Sequence, residues 1–170
     1  MLALSSNGRT RSHYYDCSVA GALEQIGEWW SLLIVRECMM GTTRFDDFQN
    51  RLGIARNVLT TRLNTLIEHG VLVRVVAEGS ERRTEYRPTE KGEALYPIIV
   101  GLMQWGDEWC SARPPIRLVE DSTGEPVEPV SLRVGPRTLG LRDVRLEPGV
   151  GATERTAEII DARNKAILGR

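Results

Sequence analysis

No apolar run in this chain of 170 residues approaches the roughly 20 residues that a membrane-spanning helix requires. Residues 1–15 hold no apolar stretch of signal-peptide type. The expectation is a cytoplasmic protein with no membrane partner. A charge excess is missing too. With 22 basic and 23 acidic side chains, the chain has no global attraction to nucleic acid, and any DNA contact must rest on a local patch. Cysteine is scarce. Cys17, Cys38 and Cys110 are scattered and odd in number, which argues against a disulfide framework and an all-cysteine zinc site. His13 and His69 lack a second ligand at useful spacing, so neither suggests a metal. Nucleophile-elbow, phosphate-loop and paired-histidine motifs are absent, so neither an enzyme nor a cofactor is expected.

What is present centres on residues 43–70. Thr43 can cap a short helix, with Asp46 three residues on. Phe45, Phe48 and Leu52 share one helical face, and Gly53 permits the left-handed backbone that ends such a helix. In a second helix, Leu59, Leu63, Leu66 and Ile67 form a buried stripe that Gly70 closes. The opposite face carries Arg56, Asn57, Thr60, Thr61, Arg62 and Asn64, with no acid between Arg51 and Glu68. Those side chains suit the DNA major groove. Arg pairs with guanine, Asn with adenine, and Thr with phosphate or the thymine methyl. Two amphipathic helices joined by a glycine turn also occur in proteins that never touch DNA.

The flanks narrow the choice. Residues 1–15 are polar, with Arg9, Arg11 and His13 and no acid, and read as a flexible basic arm. Asp16 or Ser18 can cap a helix whose stripe is Val19, Ala20, Leu23 and Ile26, ending at Gly27. Trp29–Met40 is apolar almost all round, which suits a central buried helix. After Gly70, Val71–Val76 and Thr84–Arg87 read as two strands about a turn cluster. A hairpin directly after a recognition helix is the winged-helix arrangement, with Arg82 and Arg83 at the wing tip available to phosphates or a minor groove, and Arg44 a further DNA-binding candidate. Glu78, Glu81 and Glu85 leave open a merely solvated turn. Thr89 caps a long helix, with Leu95, Ile98, Leu102, Trp105 and Trp109 spaced as a seam that pairs with a second copy or packs on its own core. Residues 111–150 are proline-punctuated short runs, and Thr153–Leu168 suits a last amphipathic helix. The fold class expected is mainly α with a small β-wing, α+β. It divides into a basic arm (1–15), a winged-helix DNA-binding and dimerisation domain (16–110) and a β-rich extension (111–170).

With those elements in order, the chain resembles the HxlR family of bacterial transcriptional regulators, relatives of the MarR-type winged helices. The matching stretches include Cys17–Ala20, Trp30–Glu37, Arg44–Phe48, Gly53–Leu63 and Glu85–Gly92. The resemblance implies a homodimer that binds double-stranded DNA at a palindromic operator, as repressor or activator. The extension is similar to a small zinc-ribbon-like module of some relatives, with Leu141–Gly149 like its closing segment. No Cys or His lies between Ser111 and Arg170, so zinc's soft ligands are missing and no metal is expected.

Cys17 matches a position that several family members use to sense oxidants or electrophiles. It precedes a helix N-terminus, which is compatible with an activated thiol; a half-buried structural cysteine is the alternative. Trp29, Trp30, Met39 and Trp105 could line a pocket for a small aromatic or electrophilic effector, or simply fill the core. The rival to DNA reading is a protein-interaction module on the same fold.

Overall fold

The computed structural model describes residues 17–77, 79 and 83–169. The expected basic arm, the cap at Asp16, and the wing-turn residues Glu78, Ser80, Glu81 and Arg82 lie outside them. The elements run α1 (Ser18–Ile26), α2 (Trp29–Met39), α3 (Phe45–Leu52), α4 (Arg56–Glu68), β1 (Leu72–Val76), β2 (Thr84–Pro88), α5 (Glu90–Glu93), α6 (Tyr96–Trp109), β3 (Arg133–Val134), β4 (Arg137–Thr138) and α7 (Glu154–Leu168). Mainly helical with small antiparallel sheets, this is the expected class. No described helix is long and apolar enough to cross a membrane. The chain divides into two compact units. One spans residues 25–131, and the other joins 132–169 to the residues before 25.

In the first unit α2 is central, as its apolar sequence predicts. Ile34 and Val35 are fully buried and meet Phe48 of α3, Leu59, Leu63 and Leu66 of α4, and Leu72 and Tyr86 of the hairpin. Phe48 stands edge-on to Tyr86, their centroids 6.3 Å apart. β1 and β2 pair antiparallel, with Leu72 opposite Pro88 and Val76 opposite Thr84. The hairpin is anchored beyond its own ladder, because the Tyr86 amide donates to the Thr43 carbonyl at 2.8 Å.

Local chemistry departs from the sequence reading in two places. Thr43 does not cap α3. Arg44 occupies that position in extended backbone without a side-chain cap bond, and Thr43 serves the hairpin as an acceptor. The long helix expected from Thr89 is broken. Thr89 does cap its start, its hydroxyl accepting from the Gly92 amide at 3.2 Å, but α5 ends at Glu93. The chain restarts at Tyr96, with Pro97 in the first turn of α6, where a ring that removes a donor and crowds the preceding residue is tolerated. Gly92 has a steric role. A Cβ there would lie 2.2 Å from the Val71 carbonyl oxygen, so α5 can seat against the hairpin base only without one. Lys91 adds a tie, donating to the His69 carbonyl at the end of α4 at 2.8 Å, where a cation also suits the helix dipole.

No residue from 111 to 169 is buried. Within the first unit, Gln104 of α6 fixes the segment after it, its amide oxygen accepting from the Val130 amide at 2.8 Å. In the second unit β3 and β4 form a hairpin turned at Gly135, which has φ +55°. α7 runs where the amphipathic pattern predicts, capped by Thr153. Val144–Leu146 forms no strand. Asn164 of α7 holds it instead, its side chain donating to the Leu146 carbonyl at 2.8 Å and accepting from the Leu146 amide at 3.1 Å. Arg163 donates to the carbonyls of Val144 and Leu141.

Candidate nucleic-acid interface

The interface is built on α4. Its stripe of Leu59, Leu63 and Leu66 is at most 1% exposed. Helical periodicity therefore turns Asn57, Thr60, Thr61 and Asn64, spaced i, i+3, i+4 and i+7, to solvent with Arg56 beside them. Gly53 at φ +62° makes the turn between α3 and α4. The Arg56 guanidinium lies 4.8 Å over the Phe45 ring and 3.8 Å from the exposed Asp46 carboxylate, so α3 orients it across the head of α4. Thr60 and Thr61 donate their hydroxyl protons back to the carbonyls of Arg56 (2.8 Å) and Asn57 (2.9 Å).

Arg62 does not share this face, contrary to the sequence assignment. Its side chain is only 25% exposed, its terminal nitrogen lies 3.7 Å from the Glu28 carboxylate, and its Nε is buried without a partner. One residue beyond Thr61 is about 100° around the helix, which swings the guanidinium towards the start of α2. Arg44 and Arg83 are exposed on either side of α4 in sequence, while Arg82 lies outside the described residues.

Sequence reasoning missed two residues. Arg74 of β1 lies 5.5 Å over the Tyr86 ring and donates to the Asn64 side chain at 3.3 Å, joining wing to recognition helix. Its signal was a cation interrupting an apolar strand. Glu37 is 3% exposed near the end of α2. It pairs with Arg36, accepts from the Thr42 hydroxyl at 3.1 Å, and reaches Arg51 at the end of α3 at 3.4 Å. It therefore ties the central helix to the first helix of the motif. Only a buried partner set separates such a carboxylate from an ordinary surface acid, and sequence does not reveal one.

Of the five seam residues, Leu95, at the N-cap of α6, packs against the core of its own chain. Ile98, Leu102, Trp105 and Trp109 are exposed, the two tryptophans at 59% and 68%. None of the four pocket candidates lines the groove beside α6 or the one beside α7. Trp30 and Met39 pack on the core, the Trp29 ring lies tilted by 38° against Trp30 with centroids 4.2 Å apart, and Trp105 is exposed on α6. A groove of about 480 Å³ lies elsewhere, lined by Met103, Asp107, Ile116 and Val127 among others. Cys17 and Cys110 are exposed free thiols. Cys38 is buried, and burial, with the neighbouring Glu37 adding to it, pushes its thiol up to about 12.

Residues 25–114 match the family described as HxlR-like helix-turn-helix. Over 151 residues, 86% of this chain and 95% of theirs, the sequence is 42% identical to uncharacterised HTH-type transcriptional regulators of Mycobacterium bovis and Mycobacterium tuberculosis. PA1607, a candidate transcription factor of known crystal structure, is 44% identical, with a TM-score of 0.75 over 81% of this chain and 99% of its own. HypR, a redox regulator solved in its oxidized form, is 30% identical, with a TM-score of 0.50 over 54% of this chain and 96% of its own. The mycobacterial and PA1607 likenesses cover too much of the chain to stop at residue 110, so they run into the extension. HypR corresponds to about half of the chain.

Proposed function

Because the chain belongs to the HxlR-like helix-turn-helix family of transcriptional regulators, we propose that it reads specific DNA sequence as a homodimer on a palindromic operator, and that a small molecule or thiol oxidation sets its occupancy. The carrying observation is the face of α4. Asn57, Thr60 and Thr61 project to solvent from a helix whose opposite stripe is wholly buried, with Arg56 braced beside them. These four would meet base edges, and Arg44, Arg82 and Arg83 phosphates. Arg62 would have to leave Glu28 to join them. The exposed apolar residues of α6 support a dimer seam, since Ile98, Leu102, Trp105 and Trp109 gain most by covering one another across a two-fold axis. That axis would set two recognition helices about one DNA turn apart. The proposal keeps the division into arm (1–15), DNA-binding and dimerisation domain (16–110) and extension (111–170).

For the signal, access leaves Cys17 and Cys110, both exposed, and sets aside Cys38, which is buried with a raised pKa. Of the two, Cys17 is the one that the family resemblance marks. HypR, named a redox regulator, is similar to about half of the chain.

The test is fluorescence anisotropy of the full chain with DNA from upstream of its own gene, against a scrambled duplex, at two salt concentrations. Tighter binding to the native fragment that persists at the higher salt supports sequence reading. Equal, steeply salt-dependent binding to both means phosphate contacts alone. That outcome favours the interaction-module reading, to which the formal net charge of −1 lends support.

A further inference from the structure

We propose that Thr60 and Thr61 read thymine through their methyl groups, so that the operator half-site carries adjacent A·T pairs whose thymine methyls face α4. This inference rests on the DNA-reading proposal above and commits it to a base. A threonine facing DNA has two tools, a hydroxyl proton to donate and a methyl. The proton is already spent here. Thr60 donates to the Arg56 carbonyl at 2.8 Å and Thr61 to the Asn57 carbonyl at 2.9 Å. Thr65, one turn on, does the same towards Thr61 at 3.0 Å, so the habit belongs to this helix rather than to one rotamer.

A hydroxyl has one proton. Phosphate oxygens, guanine O6 and N7, adenine N7 and thymine O4 are all acceptors, and a threonine whose proton is committed offers them nothing. Each residue is left with its oxygen lone pairs, which can only accept, as from adenine N6 or cytosine N4, and with the methyl group of an exposed side chain. In the major groove the apolar partner is the thymine C5-methyl. The neighbours agree. Asn57 lies on the same face, one turn before Thr60 and Thr61, and its side-chain amide is matched to the N6/N7 edge of adenine, the other half of an A·T pair. Asn64, further along, is bound to Arg74 of the wing and is less free to read a base.

The experiment begins with selection of binding duplexes from a random-sequence pool by the full chain. Kd is then measured by anisotropy, at one fixed salt concentration, for the selected duplex and for copies with half-site thymines replaced one at a time by deoxyuridine. That exchange keeps every hydrogen-bonding group and deletes only the methyl. At a contacted position, Kd should rise about fourfold, the equivalent of one buried methyl. Thr60→Ser and Thr61→Ser, which keep the hydroxyl, should each weaken binding to the thymine duplex by a similar factor. At the position each residue reads, the serine variant should bind thymine and deoxyuridine duplexes alike. A selected consensus whose uracil copies all bind as tightly as the thymine parent overturns the methyl inference and leaves DNA reading intact. A selection that yields no consensus overturns both.

Discussion

Between residues 25 and 131 the chain buries Ile34, Val35, Phe48, Leu59 and Leu66 completely. Between 132 and 169 it buries nothing, while Leu141 and Ile159 stay 68% and 60% exposed. The first unit is organised by apolar surface removed from water, a non-directional force that scales with area. In the second, Asn164 and Arg163 clip an extended segment to α7 through directional bonds that compete with water. Two consequences follow. Residues 25–131 should unfold cooperatively, and residues 132–169 should open locally at lower free energy. HypR matches about half of this chain, while the mycobacterial regulators match 86% of it.

The sharpest break in this contrast is Phe48→Ala. Phe48 is fully buried and meets Tyr86 edge-on, and emptying such a site costs about 3–5 kcal/mol. Denaturant titration should show a large loss of stability; a loss below about 1 kcal/mol would mean that Phe48 is not a keystone of the core.

Cys38 comes next. Its folded pKa, about 12, stands above the ordinary 9.0. Below pH 9 both folded and unfolded thiols are protonated and the group contributes no pH dependence. Between about 9 and 12 the unfolded chain has released a proton that the folded chain retains, so stability falls as pH rises. The full loss is of the order of a few kcal/mol. Cys38→Ala should flatten the stability–pH slope above pH 9, and an unchanged slope would assign the alkaline loss to other groups.

Gly92→Ala is smaller. The added Cβ would collide with the Val71 carbonyl, and overpacking of this kind costs about 1–3 kcal/mol. Faster hydrogen exchange at the Thr89 amide, which donates to that same carbonyl at 3.1 Å, should report α5 lifting from the hairpin base. Unchanged exchange would show that the backbone gives way without cost.

Asn164→Ala is the mildest, removing two bonds worth about 1 kcal/mol each. The Leu146 amide should lose protection while the main unfolding transition stays put. A shift in that transition would show that the two regions unfold as one.

The motif was legible because its signals are local. The leucine stripe of α4, the glycine at residue 53 and the hairpin after Gly70 each depend on neighbours within a few positions, and all appear as expected. Misreadings came where a distant partner outcompeted a local one. Thr43 was drawn into bonding Tyr86 rather than capping α3. Arg62 followed Glu28 out of the polar face. Pro97 was visible in the sequence, and the seam spacing concealed the break that it marks.

Sequence by itself determined the class of this protein, because periodicity decides which faces can be buried and turn chemistry decides where elements end. Family membership follows from the same residues in the same order. Only the tertiary structure decided the chemistry that each polar side chain retains. Whether an arginine is free, and whether a carboxylate such as Glu37 is a latch or a surface charge, depend on atoms brought close by packing. A hydrogen bond's range is a few ångströms in space, whatever the separation along the chain.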